Sequence, residues 1–472
     1  MNIHYTKSIK KRNIDTYVIN IDKKNIDKCM NKIVSSINIP NIPKLFYKRL
    51  FKEGYASIYT DDYELLFLHT NDIYKTYGTC GKKLSDLSSL NNSSQDSFIF
   101  LANNEKDIRE QIIAFILGYY EFTSYQSEKS AKKEANIYFY HSNPRFKNII
   151  KESITLATVQ NEIRDLINIP ANDLNSITYE KYIKKNLPNS VKMKVLDERA
   201  LKKLGCNLIL GVNAGSKYPA KMIILEYGEK KKSEHPIALV GKGVMFDSGG
   251  LDIKHGDFSD MKCDMTGSAI VYGVIKLLAE CNKPGHFIGL LPIVENMVDA
   301  NSIRPGDILT AYNKSTVEVV DTDAEGRLIM ADTLAYSSKY SPRLCIDVAT
   351  LTGGVFYTFG DKASVIMGNN NKLIQQMIQL GDANHEKLWE LPMWKEYVDL
   401  TKSKIADYRN YSVEAKASTI MGGAFLSNFV PSKTDWIHLD IASRDFLKSN
   451  TENRHSGATA EILRTLFYFL LL

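Results

Sequence analysis

Two short stretches of the chain concentrate side chains able to do chemistry. One runs Gly241-Lys242-Gly243-Val244-Met245-Phe246-Asp247-Ser248-Gly249-Gly250 and continues to Lys254 and to Met261-Lys262-Cys263-Asp264. The other is Asp321-Thr322-Asp323-Ala324-Glu325-Gly326-Arg327. Each follows an apolar run of strand character, 237–240 and 317–320. Read as extended backbone, where residues two apart face the same way, 321–327 presents Asp323 and Glu325 to one point, with Arg327 continuing the line. Asp247, Asp264, Asp323 and Glu325 converging in a glycine-lined pocket would repel one another unless cations neutralise them. Bound divalent metal is the economical answer. Four carboxylates exceed what one catalytic zinc needs, and oxygen-rich ligation suits zinc, manganese, magnesium or cobalt held as a pair about 3.5 to 4 Å apart. Histidine ligands are not required: His255 is the only histidine nearby, and no His-Glu-x-x-His occurs. Gly241 and Gly243 could line a phosphate cradle, but the full Gly-x-x-x-x-Gly-Lys-Ser/Thr pattern is missing, which argues against a nucleotide site. Any one of these acids alone reads as a solvated turn; the combination does not.

The elements that must position these residues follow from length and periodicity. The chain has 472 residues, enough for two or three domains with full hydrophobic cores. Its 60 basic and 54 acidic residues leave a net charge of +6. The first 150 residues hold 22 basic against 16 acidic side chains, so the whole excess lies in the N-terminal third. That third alternates short apolar strands (16–21, 97–101) with a helical run over 106–120 and a polar loop over 88–97. It reads as a small α/β domain, residues 1–146. Apolar residues at helical spacing over 147–167 predict a connecting helix that stops before Pro170. Beyond it, strands at 221–225, 237–240, 286–291, 344–348 and 436–439 alternate with helices at 268–279 and 330–338. Such alternation predicts a larger α/β domain, 168–472, with a mostly parallel central sheet flanked by helices. Ligands in such sheets sit at the carboxyl ends of strands, which is where both reactive stretches fall. Six scattered cysteines without a Cys-x-x-Cys pair fit reduced thiols in a cytoplasmic protein. No apolar run is long enough to span a bilayer, and no export signal precedes the first domain, so a soluble protein without a membrane partner is expected.

The two stretches resemble the leucine aminopeptidase (cytosol aminopeptidase) family of two-metal exopeptidases. The family signature Asn-Thr-Asp-Ala-Glu-Gly-Arg-Leu stands here as Asp321 to Leu328 with only its first residue changed. Gly-Lys-Gly…Phe-Asp-Ser-Gly-Gly matches at Lys242 and Asp247, followed by Lys254 and by Met-Lys-x-Asp-Met around Asp264. Asn168-Ile169-Pro170-Ala171-Asn172, Asp347-Val348-Ala349-Thr350-Leu351-Thr352-Gly353 and Trp436-Ile437-His438-Leu439-Asp440-Ile441-Ala442 extend the likeness over about 160–472. The resemblance implies a metal pair, zinc, manganese, cobalt or magnesium, bridged by Asp247 and Glu325. Lys242, as a neutral amine, and Asp264 would complete one site and Asp323 the other. It implies that Lys254 donates to the developing oxyanion and that Arg327 holds a bicarbonate acting as proton shuttle. It implies too that Thr350, Leu351 and Gly353 line the substrate cleft and that Met261 belongs to the apolar pocket for the first side chain. Asp321 places a further carboxylate on the face of Asp323 and Glu325.

The implied activity is hydrolysis of the N-terminal bond of peptides and dipeptides with a free amino terminus, Leu and other apolar residues preferred, by a cytoplasmic homohexamer. Two other classes compete. An added DNA-binding role would use the basic N-terminal domain, but +6 spread over 150 residues falls short of a basic stripe, which argues against a nucleic-acid partner. A non-catalytic relative is opposed by the intact set of acids and lysines.

Overall fold

The computed structural model describes residues 2–6, 16–20, 55–59, 64–68, 72–90, 97–102, 104–127, 136–141, 143–229 and 235–472. These form two compact units, one of residues 1–161 with 448–456, the other of 162–447 with 457–472.

In the first unit six short strands, β1 (Asn2–Thr6), β2 (Thr16–Asn20), β3 (Tyr55–Tyr59), β4 (Glu64–Leu68), β5 (Ser97–Phe100) and β6 (Asn136–Tyr140), form one sheet in the order β1-β6-β5-β2-β4-β3. All neighbours are parallel except β3 with β4. The helix Glu105–Tyr119 starts on the Asn104 side chain, which accepts from Asp107 N, and buries Ile112, Phe115 and Ile116. The Phe115 ring meets Phe139 of β6 edge-on at 6.0 Å. Its partner helix, Ile73–Leu90, comes so close that a Cβ on Gly118 would lie 2.0 Å from the Gly78 carbonyl oxygen. This helix covers the first residues of the loop expected over 88–97, because its intra-helical ladder continues to Leu90; 91–96 lie outside the described residues. Residues 448–456 fasten onto the same helix: Arg454, buried, donates to the Tyr74 hydroxyl, and Lys75 pairs with Glu452 at 2.8 Å.

The long helix Lys147–Asn168 leads into the second unit. Its main strands are β7 (Val191–Leu196), β8 (Lys221–Gly228), β9 (Ile237–Gly241), β10 (Gly243–Asp247), β11 (His286–Asn296), then, beyond the small β12 (Ile308–Thr310) and β13 (Thr316–Glu318), β14 (Leu344–Ala349), β15 (Ser364–Gly368), β16 (Leu388–Glu390) and, after β17 (Tyr408–Arg409), β18 (Asp435–Asp440). They form a nine-stranded sheet, β16-β15-β18-β14-β9-β11-β8-β7, with β10 also on β11. The central β18, β14, β9 and β11 run parallel, as does β10, whereas β15, β8 and β7 run against their inner neighbours.

Both faces are covered, which is why β11 reads as a nearly continuous apolar run with every residue buried. Ile288 and Leu290 pack with Leu328 of the helix Glu325–Ser337, while Gly289 between them faces Val271 and Ile275 of the helix Thr266–Glu280. Alternate residues of one strand thus meet different helices. The parallel arrangement brings the carboxyl ends of β9, β10, β11, β14 and β18 to one edge, and Lys242, Asp247, Asn296, Thr350 and Asp440 stand there. Among the described residues no helix is long and apolar enough to cross a membrane, and Cys206, Cys263 and Cys345 are free thiols.

Candidate active site

Lys242 follows β9 directly, pinned by its own backbone: its N–H donates to Val348 O (3.0 Å) and its carbonyl accepts from Ser268 N (2.7 Å). Its Nζ lies 2.7 Å from Asp264 Oδ1, 2.9 Å from Glu325 Oε1 and 2.9 Å from Thr350 O. Asp264 comes just after the 3₁₀ turn Ser259–Cys263, and its carbonyl accepts from Val244 N of β10. Asp247 closes β10; its Oδ1 accepts from Gly249 N (2.9 Å) and Asn296 Nδ2 (2.8 Å), and its Oδ2 lies 2.7 Å from Lys254 Nζ. The same ammonium reaches Asp323 Oδ1 at 2.6 Å. Two lysines therefore each join carboxylates, Lys242 between Asp264 and Glu325, Lys254 between Asp247 and Asp323. Ligand atoms of Asp247, Asp323 and Glu325 lie within 4.8 Å of one another.

The expected extended backbone over 321–327 is corrected by the structure. Residues 322–323 form a turn and Glu325 opens the helix Glu325–Ser337, because the Asp321 Oδ1 accepts from Asp323 N (2.8 Å) and so bends the chain back. The two carboxylates meet across a turn and a helix start, and β13 ends at Glu318, before the expected 320. Asp321 spends one oxygen on this turn and stands apart from the grouped ligand atoms of Asp247, Asp323 and Glu325. Gly326 is required by close approach: a Cβ there would lie 2.4 Å from Lys242 Cε. Gly249, at φ +88°, turns the chain after Asp247 into a conformation that favours glycine.

Sequence reasoning missed the polar side chains that brace this turn. Asn410, just beyond β17, accepts from Val320 N (2.8 Å) and donates to Asp321 O (2.6 Å). Asp252 accepts from Thr322 N (2.8 Å), and buried Thr322 donates to Gly249 O (2.7 Å). Asn296 ties Asp247 to Thr322 O (3.0 Å). Asn296 had a legible signal, a lone amide ending an apolar strand; Asn410 had none.

Burial is the largest influence on Lys242, Asp247, Asp264, Asp323, Glu325 and Arg327. It raises the Asp264 and Asp247 carboxyls, more than the neighbouring lysines can offset, and with the Asp247 charge it pushes Asp323 up to about 7. Burial acts against the Glu325 carboxylate as well, but Lys242 and Lys254 together outweigh it and hold its pKa below the usual range. Burial likewise disfavours the Lys242 ammonium, yet Asp264, Glu325 and Asp247 outweigh it and raise its pKa. Within the protein's own charges Lys242 is therefore a cation, and the neutral amine of a ligand role depends on positive charge brought in from outside.

The cluster fits such a group. Asp264 Oδ2 and Glu325 Oε2 are buried with no hydrogen-bond partner, an arrangement costly for carboxylate oxygens and relieved by a cation. A set of carboxylates with one amine suits a hard or borderline divalent ion. Arg327, two residues past Glu325, is buried; Nη1 donates to Asn410 O (2.7 Å), Nε has no partner, and burial lowers its pKa. Thr350 joins the cluster by donating to Asp264 Oδ1 (2.8 Å). Leu351 N donates to buried Asp440, which also accepts from Thr352 Oγ1 (2.7 Å). Gly353 is exposed beyond that turn, and half-buried Met261 precedes Asp264 in the 3₁₀ turn. None of Met261, Thr350, Leu351 and Gly353 lines the open cleft of about 490 Å³ beside Lys254, whose walls are Leu251, Asp252, Ile253, Lys254, His255, Asp321 and Asp323. Behind the cluster, buried His438 Nδ1 and Asp347 Oδ1 lie 2.5 Å apart, and Trp436 Nε1 donates to Asp347 Oδ2 (2.7 Å).

Residues 161–467 match the catalytic domain of the cytosol aminopeptidase family. A probable cytosol aminopeptidase of Phytoplasma mali is 38% identical over 373 residues, covering 76% of this chain and 75% of that protein. One from Sulfurihydrogenibium sp. is 36% identical over 395 residues, covering 82% and 77%. Among solved structures, a mutant of tomato leucine aminopeptidase superposes with a TM-score of 0.84 at 25% identity, covering 100% of this chain and 96% of the other. The bottromycin maturation enzyme BotP in complex with Mn shares the fold, with a TM-score of 0.83 at 24% identity over 97% and 99%. Site and matches together define a metal-dependent peptidase built on a mostly parallel sheet. The chain belongs to the cytosol aminopeptidase family, whose members depend on two metal ions and act on peptides.

Proposed function

We propose that the protein removes single residues from the free N-terminus of peptides and dipeptides, favouring Leu and other apolar first residues, with two divalent ions of zinc, manganese or cobalt, magnesium being the further candidate. The observation that carries this is the buried pair of unpartnered oxygens, Asp264 Oδ2 and Glu325 Oε2, inside a cluster that already contains Asp247, Asp323 and two lysines. Asp247 and Glu325 would be shared by both ions, Lys242 and Asp264 would complete one site, and Asp323 the other. Such ions supply Lewis acidity toward a peptide carbonyl and lower the pKa of water.

The chain's own residues do the rest. With Asp247 and Asp323 holding the ions, Lys254 would be the residue to direct its ammonium at the developing oxyanion. Arg327, its buried Nε unpartnered, would hold a bicarbonate that supplies proton transfer. Thr350, Leu351 and Gly353 offer backbone groups to the peptide, and Met261 an apolar contact to the first side chain. The functional form is proposed to be a cytoplasmic homohexamer, which size-exclusion chromatography with light scattering checks; a fully active monomer refutes it.

The test is hydrolysis of a Leu-linked fluorogenic amide by chelator-treated protein, alone and with added Mn, Co or Zn. Activity restored by metal, absent in Glu325→Gln and absent on the N-acetylated substrate, supports the reading. Inactivity with every metal across a panel of first residues refutes it.

A further inference from the structure

The cleft beside Lys254 has an unusual division of its lining. Leu251 and Ile253 stand 44% and 49% exposed and supply aliphatic surface. Asp252 and Asp321 supply carboxylates, each half committed: Asp252 Oδ2 accepts from Thr322 N and Asp321 Oδ1 from Asp323 N. The second oxygen of each has no hydrogen-bond partner among the described residues. Lys254, the one formally cationic side chain of the lining, reaches Asp247 and Asp323 and, with metal bound, is assigned above to the developing oxyanion, so Asp252 and Asp321 are the charges left to meet a substrate side chain. The lining thus joins an apolar wall to two carboxylate oxygens with unused capacity, the complement of a long aliphatic stem ending in a cation.

We propose that this cleft selects peptides with Lys or Arg as the second residue, just after the scissile bond, and that Asp321 is the residue that reads the charge. The inference rests on the aminopeptidase function proposed above and adds a substrate class to it. An apolar first residue and a basic neighbour are compatible, because the cleft is separate from Met261. Recognition at so open a rim is a matter of preference rather than absolute requirement, since each exposed pair contributes modestly and is screened by salt.

The experiment uses full-length, metal-loaded enzyme and four dipeptide amides, Leu-Lys, Leu-Met, Lys-Leu and Met-Leu, with Met as the neutral side chain of similar length. Wild type is expected to show a higher kcat/KM for Leu-Lys than for Leu-Met, with no such preference for Lys-Leu over Met-Leu. The Asp321→Asn variant, which keeps the oxygen that Asp323 N needs, is expected to lower that ratio about three- to fivefold. Raising NaCl to 0.5 M is expected to lower it in wild type without any mutation. A Leu-Lys to Leu-Met ratio at or below one, or a ratio that Asp321→Asn leaves unchanged, overturns the inference while the aminopeptidase reading stands. Failure to cleave any of the four overturns both.

Discussion

Replacing Gly326 by Ala sets two local effects against each other. In a helix interior Ala is favoured over Gly by about 1 kcal/mol, an upper bound for Gly326 in the first turn of its helix, so propensity alone predicts a slightly more stable protein. Here the added methyl would sit 2.4 Å from Lys242 Cε and 2.5 Å from Nζ, well inside contact distance. Lys242 has little freedom to yield: its backbone is tied to Val348 and Ser268, and its ammonium is enclosed by Asp264, Glu325 and Thr350 O. Overpacking costs about 1 to 3 kcal/mol, which cancels or slightly exceeds the helix gain. Stability is therefore expected to change by no more than about 2 kcal/mol, a few degrees in Tm for a domain of this size. Activity is expected to respond far more, because a displacement of about 1 Å at a reacting centre can cost about 100-fold. Calorimetry and kcat/KM on a Leu amide separate the two, and Lys242→Ala provides the control, since it removes the atoms nearest to the new methyl. If Gly326 acts by making room for Lys242, the stability of the double variant is no lower than that of Lys242→Ala alone. A Gly326→Ala enzyme within threefold of wild type would show that the lysine does not need this passage and refute the reasoning.

Three further outcomes follow from the same contacts. Glu325→Gln keeps the shape but removes a buried negative charge, so kcat is expected to fall at least about 1000-fold with unaltered circular dichroism; near-normal turnover would exclude Glu325 from the metal set. Asp440→Asn weakens the bonds to Leu351 N and Thr352 Oγ1 and is expected to cost about 1 to 3 kcal/mol of stability, read by urea denaturation; an unchanged midpoint would mean the 350–352 turn is held without it. Burial acts against the charged His438 ring, but Asp347 outweighs it and raises the pKa above its ordinary value near 6.5. A raised folded-state pKa gives stabilisation that is full below 6.5 and fades as pH rises through the higher value. The Tm difference between wild type and His438→Gln should therefore shrink as pH increases from 6 to 9, and a constant difference would contradict the charged pair.

The second unit was largely legible because its strands are buried on both faces and stand out as apolar runs, and because parallel order puts the residues after each run at a shared edge. Lys242, Asp247, Asp264, Asp323, Glu325 and Lys254 were all expected together and are found together. The backbone linking Asp323 to Glu325 was misread since alternation of acids suits a strand as well as it suits a turn. Two cues pointed to the turn: an aspartate two residues before the bend and a glutamate where a helix N-terminus welcomes negative charge. Asn410 was invisible because its partners, Val320 and Asp321, are about ninety residues away and only folding unites them. In the first unit, helix Ile73–Leu90 escaped the coarse reading because its close packing at Gly78 and Gly118 depends on small residues, which read locally as loop.

The return of residues 448–456 to the first unit sets a limit on when that unit can be finished. Its helix Ile73–Leu90 is made early in translation, but the partners of Tyr74 and Lys75, Arg454 and Glu452, lie far along the chain, Arg454 being 380 residues beyond Tyr74. Domains that fold in order of synthesis normally complete the N-terminal one first. Here the N-terminal unit must wait, with part of a helix face uncovered, until the catalytic unit has been almost wholly synthesised, so an N-terminal fragment expressed alone lacks a piece of its own structure.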